Sequence, residues 1–464
     1  MLFNSLVFVA FFGVVYSAYR CLPHRGQNWL LLAASWFFYG WWNWRFLGLL
    51  ILTTFIDWSV GRALDRPGQS ERVRRAWIAL SIVVNLAILA TFKYFGFFSS
   101  ELNRFLTEQG IRWAIPFPDL VLPVGLSFYT FQSMAYTIDV YRRDVPATKS
   151  FWQFALFVSF FPQLVAGPIE RSGHLIPQLE RPRRVTSLQM AEGTQLMLWG
   201  YFKKLFIADN MAALVSRIFA QDGPDAWSVM IGAWAFCWQI YGDFSGYSDI
   251  ARGLGKWMGI ELSVNFRLPF FASSPRDLWR RWHISLSQWL RDYLYIPLGG
   301  DRKGVRRTYV NLLATMALGG LWHGANWTFI VWGMYHGLAL AVQRALPTFS
   351  LPRAARPLAI LATFQFTALG FLIFRATSMT QVGTMLGTFL HPGLPNFVAG
   401  ERFAQMVVIA APLFLVEAVQ YGLDDADWLL RIPRPLQAVL SAALFLVTVF
   451  LGSSFDVQFL YFQF

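Results

Sequence analysis

The stretch Pro435-Leu436-Gln437-Ala438-Val439-Leu440-Ser441-Ala442-Ala443-Leu444-Phe445-Leu446-Val447-Thr448-Val449-Phe450-Leu451-Gly452 runs for eighteen residues without a charge. At about 1.5 Å of rise per residue, a helix of that length nearly crosses a hydrocarbon layer of roughly 30 Å. A strand of a lipid-facing barrel would alternate polar and apolar residues, and this run does not. At membrane depth a helix satisfies its own backbone polar groups, so a spanning helix is the structure this sequence specifies. Working outward, comparable runs fall at about 3–19, 29–43, 46–60, 76–96, 121–141, 151–166, 226–248, 309–325, 327–346, 357–375 and 403–421. They predict an all-α polytopic integral membrane protein of roughly ten to twelve helices, expected as one membrane-embedded domain over 1–464.

The composition agrees. Of 464 residues 56% are hydrophobic and 14% charged, against about 45–50% and 25% in soluble domains, which excludes an ordinary soluble enzyme. The net charge of +13 sits in loops between apolar runs, with no basic domain to form a groove. Nucleic acid is therefore excluded as a partner, and the lipid bilayer with its positive-inside bias accounts for the charge. Cys21 and Cys237 offer neither a disulfide framework nor a Cys-x-x-Cys site.

Charge placement also sets orientation. Arg20 and Arg25, then Arg62, Arg66, Arg72, Arg74 and Arg75, then Arg142, Arg143 and Lys149 follow the first, third and fifth runs, which puts the N-terminus outside. Phe3 to Tyr19 lacks a positively charged leader segment, so it is expected to be a retained span and not a signal peptide. Arg431 and Arg434 precede the last run and send the tail Ser453 to Phe464 outside, with Phe459, Tyr461, Phe462 and Phe464 suited to the interface.

Two regions break the pattern. Phe160-Phe161-Pro162-Gln163-Leu164-Val165-Ala166-Gly167-Pro168 interrupts an apolar run with two prolines and a glycine, which predicts a re-entrant or funnel-lining segment. Thr186 to Phe219 is amphipathic, with Lys203, Lys204 and Asp209 among apolar residues, and suits a helix lying on the surface or packed across the spans.

Chemistry concentrates in two runs. In Arg276 to Tyr293 the apolar positions 279, 282, 286, 289, 290 and 293 recur at helical spacing, and at about 100° per residue His283 shares their arc while Arg280 and Ser287 face away. His283 is thus either a core histidine satisfied by one neighbour or a site residue. Asp277 is spaced to pair with Arg280 or Arg281. In Gly319-Gly320-Leu321-Trp322-His323-Gly324-Ala325-Asn326-Trp327 an ionisable residue lies inside an apolar run, which marks function, and the glycines allow another backbone or a thin acyl chain to approach. In one unbroken helix His336 lies about 20 Å of rise from His323 and on the opposite face, too far to share a metal. No His-Glu-x-x-His, G-x-S-x-G or nucleotide fingerprint is present, and no metal is expected. Asp249 is spaced to pair with Arg252, whereas Asp243 has no cation one turn away and is a candidate for a polar cavity. His24, His174 and His391 lie near loops and are not expected to take part.

These two runs, with Phe161 to Pro168, Tyr241-Gly242-Asp243-Phe244-Ser245-Gly246-Tyr247-Ser248-Asp249 and the Phe459 to Phe464 tail, resemble the membrane-bound O-acyltransferase family, most closely its bacterial branch. The resemblance covers nearly the whole chain. It implies helices around a thin central region with funnels from both faces, and a catalytic histidine in the Leu-Trp-His-Gly-Ala motif, here His323, with His283 matching the second, upstream histidine. Trp322, Asn326 and Asp243 are candidates for the substrate pocket. Related proteins acetylate alginate, cellulose or peptidoglycan, or pass D-alanine to teichoic acids, and Trp289 to Gly300 looks like the acetylating branch. By resemblance the donor is a cytoplasmic thioester, acetyl-CoA, with no permanently bound cofactor. The acceptor is an exported polysaccharide such as alginate, reached through a periplasmic acetyltransferase partner, and the location is the bacterial inner membrane.

The chemistry is compatible. Histidine's unperturbed pKa of about 6.5 suits a base taking the proton of an acceptor hydroxyl, and an imidazole that itself accepts the acetyl group is equally consistent with the residues. From other classes, a transporter would carry an inverted repeat, and none is found, while a pure scaffold would leave His323 dispensable. The orientation has its own test. In a background lacking Cys21 and Cys237, cysteines at Ser70 and Ser453 should differ towards an impermeant thiol reagent added outside, the second reacting and the first staying protected. The opposite pattern inverts the topology.

Overall fold

The computed structural model describes residues 1–116, 120–347, 352–426, 428–453 and 459–460, and among them every regular element is helical. In chain order the helices are α1 (Leu6–Cys21), α2 (His24–Gly40), α3 (Trp44–Leu64), α4 (Glu71–Leu89), α5 (Phe95–Glu108), α6 (Leu126–Arg142), α7 (Phe151–Ser159), α8 (Ser172–Glu180), α9 (Ser187–Tyr201), α10 (Asp209–Phe219) and α11 (Ala226–Trp257). They continue as α12 (Pro275–Arg281), α13 (Ile284–Leu290), α14 (Val305–His323), α15 (Trp327–Ala345), α16 (Arg356–Arg375), α17 (Met379–Gly387), α18 (Phe397–Leu423), α19 (Trp428–Arg431) and α20 (Arg434–Leu451). Two compact units emerge: Met1–Met190 with Leu254–Ser263, and Ala191–Gly253 with Val264–Phe464.

Among the described residues five helical stretches are long and apolar enough to span by length and composition: α3, the continuous Glu71–Glu108, Arg353–Arg375, α18 and α20. The other expected spans form shorter or more polar helices. The run 151–166 is helical only over the nine residues of α7. α6 is buried along most of its length and presents Thr130, Gln132, Ser133 and Thr137 to the interior of the first unit. Helix starts follow local chemistry, since Ser5, Asn43 and Ser70 each accept a hydrogen bond from an N–H of the helix they open.

The irregular segment 160–168 is buried throughout. Protein side chains replace the water that the backbone here lacks: Ser35 Oγ accepts from Phe161 N at 3.0 Å, and just before the segment the amides of Gln132 and Gln163 both donate to Phe157 O near the end of α7. A Cβ on Gly167 would stand 2.4 Å from Gln163 Cα, so only glycine closes this turn. Beyond it, the fully buried carboxylate of Glu170 accepts from Ser263 N and Oγ and from His174 Nδ1 at 2.8 Å, fastening the segment to residues 261–263 of the same unit.

Two expectations for the second unit are narrowed or corrected. Of the two placements expected for 186–219, packing inside the protein holds for its second half: α9 is largely exposed or half-buried, but between α9 and α10 the helix widens to a π turn, Phe202–Ala208, and Lys203, Lys204 and Asp209 are all buried. Ion pairs make this burial tolerable, with Lys204 Nζ 2.8 Å from Asp209 and 2.7 Å from Asp243, and Lys203 Nζ 2.5 Å from Asp249. Phe459 does not face the interface. It is buried, its ring 4.4 Å from the Lys204 ammonium and 5.1 Å from the Tyr247 ring. Tyr461, Phe462 and Phe464 lie outside the described residues.

The Glu170 hydrogen bond holds the His174 imidazole above its ordinary value, with burial opposing. A raised folded value means the stabilisation is complete below about pH 6.5 and disappears as pH rises through that folded value. Replacing His174 with Ala should therefore lower the unfolding midpoint at about pH 5.5 and change it little at about pH 9. The ring is 44% exposed, so solvent keeps the effect modest. A deficit that grows with pH overturns the pairing.

Candidate active site

His323 is the last residue of α14, and the chain reverses directly after it. Gly324 is extended, Asn326 caps α15 by accepting from Thr328 N at 3.0 Å, and α14 and α15 close into an antiparallel hairpin. The glycines belong to that hairpin. A Cβ on Gly320 would meet Phe329 O at 2.1 Å, one on Gly324 would meet the Phe329 ring at 2.1 Å, and one on Gly333 would meet Met316 O at 2.2 Å. What approaches at Gly320 and Gly333 is backbone of the facing helix; an acyl chain is not needed to explain them.

The hairpin changes the place of His336. The two runs 309–325 and 327–346 are separate helices, so the distance that one unbroken helix would impose does not apply, and both histidines lie against Trp332, with ring centroids 5.1 Å away for His323 and 4.8 Å for His336. His323 is also edge-on to Trp322 at 5.1 Å and to Phe374 at 5.3 Å. His336 meets Trp279 and Phe366.

His283 is buried as the spacing predicts, for a different reason. Arg276 to Tyr293 is not one helix: α12 ends at Arg281, His283 takes a left-handed backbone with φ of 43°, and α13 starts at Ile284. The break turns the imidazole onto Asn265 and the rings of Phe244, at 4.6 Å, and Trp322, at 6.0 Å. Asn265 Oδ1 accepts from Ser285 N at 3.3 Å and from Ser285 Oγ at 2.8 Å. A backbone N–H can only donate, which identifies that atom as the oxygen, so His283 Nδ1, 3.3 Å away, carries the proton. In the neutral ring Nε2 is then the basic nitrogen. Trp322 is in ring contact with both imidazoles and is itself buried.

The remaining candidates have partners of their own. Asn326 combines its capping bond with donation to Thr377 O at 2.9 Å. Asp243 accepts from Lys204 on one oxygen and from Leu460 N, at 2.8 Å, on the other, a cation supplied from far along the chain. Asp277 pairs with Arg281, and Asp249 with Arg252 as well as Lys203. Sequence reasoning missed Asn265 and Phe374, which reach His283 and His323 from 18 and 51 residues away, and Trp332, which the turn after His323 folds back onto it. Among the described residues no three His, Cys, Asp or Glu side chains gather as a metal site. The first unit carries a cavity of about 450 Å³ lined in part by Arg66, Arg74 and Arg143, and none of the expected site residues lines it.

Residues 142–379, which contain both histidines, match the membrane-bound O-acyltransferase family. The chain is 44% identical over 396 residues to a probable alginate O-acetylase of Azotobacter vinelandii, covering 85% of this chain and 79% of that protein. It is 37% identical over 426 residues to a peptidoglycan O-acetyltransferase of Helicobacter pylori, covering 82% and 78%. Similarity to a teichoic acid D-alanyltransferase of Streptococcus thermophilus is lower, 27% over 281 residues, covering 54% and 68%. The chain belongs to the membrane-bound O-acyltransferase family and is a multi-pass membrane O-acyltransferase.

The hairpin seam is directly testable. Gly320→Ala and Gly333→Ala force backbone apart and should destabilise the detergent-purified protein by about 1–3 kcal/mol or more. Gly319→Ala meets only the end of the Leu290 side chain, at 3.0 Å, and should be tolerated. Equal unfolding midpoints for all three variants contradict the packing.

Proposed function

We propose that this chain takes an acetyl group from a cytoplasmic thioester, acetyl-CoA, and moves it across the bacterial inner membrane for O-acetylation of an exported polysaccharide such as alginate. The observation that carries this reading is the pair of buried imidazoles that both lie against Trp322, within the region matched by the family. The greater identity to the alginate relative than to the D-alanyl one supports an acetyl group as cargo. His323 acts as the base: it takes the acceptor hydroxyl proton as the oxygen–carbonyl bond forms, and returns it to the thiolate released when the carbon–sulfur bond breaks. The surrounding Trp322, Trp332 and Phe374 rings hold the imidazole and exclude water from the thioester. His283, its tautomer set by Asn265, orients the second side of the same centre.

The polymer is held by a periplasmic acetyltransferase partner, because the hydrophilic loops of this chain are short. The whole chain, 1–464, serves as one membrane-embedded acyltransferase domain, with both termini outside. The test is reconstitution in liposomes with acetyl-labelled acetyl-CoA. Wild-type protein should cleave the thioester slowly alone and label polysaccharide when the partner is added, and His323→Ala should lower both by about 100-fold or more while inserting at normal level. Normal transfer by His323→Ala removes His323 from the chemistry. Efficient polymer labelling without the partner removes the partner from the scheme.

A further inference from the structure

The cavity of about 450 Å³ in the first unit has no part in the acyl-transfer scheme. It lies where helices end. α3, long and apolar enough to span, stops at Leu64, and the next spanning stretch starts at Glu71. The lining comes from the loop between them, from Arg74 on α4, and from residues 140 and 143–146 around the end of α6. A cavity at the ends of spanning helices lies at the depth of lipid headgroups, just outside a hydrocarbon layer of roughly 30 Å.

Five of the lining residues are charged: Arg66, Arg74 and Arg143 against Asp65 and Asp144. Arg74 is buried and donates to Leu64 O and Tyr141 O, which joins the end of α3 to the end of α6. The other four are exposed, and among the described residues none of their side chains makes a hydrogen bond or an ion pair within 4 Å. Arg143 also sits on a backbone that does not suit it. Its φ of 67° and ψ of 24° are left-handed, at the position just past a helix where glycine is the usual residue. An arginine kept there against that cost supplies the cavity with a guanidinium that glycine would not.

Three guanidiniums against two carboxylates leave one positive charge, which a single phosphodiester neutralises. A guanidinium fork meets two phosphate oxygens at once, and basic pockets between spanning helices suit lipid headgroups. The volume falls in the range of ligand pockets, roughly 300–1,000 Å³. We propose that this cavity is a phospholipid site: Arg66 on the α3–α4 loop and Arg143 past α6 hold the headgroup phosphate, and one bound lipid fastens the two ends that Arg74 already joins. A soluble phosphate would meet the same guanidiniums; the position of the cavity at headgroup depth selects the lipid.

The unfolding midpoint of the purified full chain in detergent, followed as lipid is added, tests this. Phosphatidylglycerol should raise the midpoint and saturate, because a ligand bound only by the folded state stabilises it by mass action. Diacylglycerol with the same tails, which lacks the phosphate, should leave it unchanged. Arg66→Gln and Arg143→Gly should each raise the half-saturating lipid concentration about 10-fold or more, the loss expected for one hydrogen-bonded charge. Arg72→Gln removes the same charge from an exposed residue of α4 outside the cavity and should not. Glycine suits the left-handed position, so Arg143→Gly should match or exceed the wild-type midpoint without lipid, which separates lost binding from lost folding. An equal response to diacylglycerol, or an equal loss in Arg72→Gln, overturns the proposal. Saturation by inorganic phosphate at the same concentration makes the ligand a soluble phosphate and overturns the lipid as its source.

Discussion

A polar group that leaves water inside a bilayer has to be met by the chain itself, and much of this structure follows from that requirement. The passage from α7 into the irregular segment at 160–168 is tolerated because Gln132 and Gln163 meet the Phe157 carbonyl near the helix end and Ser35 meets the Phe161 amide. The lysines of the π turn are tolerated because three aspartates come to them. Where side chains meet these demands, the backbone is free to depart from regular helix, and the two histidines of the site lie at such departures. His323 ends a helix at a reversal, and His283 forms the joint between two short helices.

The site pairs opposite solutions to the same problem. Around His323 the rings of Trp322, Trp332 and Phe374 form an apolar wall against the imidazole. Around His283 an amide oxygen fixes the tautomer through an atom whose identity is in turn fixed by Ser285. The proposed acyl-transfer centre would draw on both: a dry wall that keeps water from a reactive thioester and a polar support that leaves one nitrogen basic. The Lys204 cluster has a separate task. It brings Asp243 and the Leu460 backbone to one ammonium and so ties distant parts of the second unit together.

Much of this was legible in the residues because it depends on local patterns. Long uncharged runs declare spans, two prolines and a glycine declare an interruption, and a histidine among glycines declares something unusual. The remainder was hidden for physical reasons. Arg276 to Tyr293 keeps helical spacing in its sequence although Trp282 is extended and His283 left-handed, because apolar periodicity does not register a two-residue break in the backbone. The glycines near His323 look the same whether ligand or backbone fills the space beside them. Asp243 looked unpaired because Lys204 reaches it from 39 residues away in the chain, and Asn265 reaches His283 across 18.

The hairpin of α14 and α15 has a mechanical consequence. At Gly320 and Gly333 the two helices meet through main-chain atoms, with no rotamers at the seam to exchange. Such a contact does not slide or loosen by degrees; it holds or it separates. The pair therefore moves as a single stiff lever with His323 at its tip. In the proposed scheme, motion that admits substrate would come from the elements packed around this hairpin, with the His323 imidazole held at its turn.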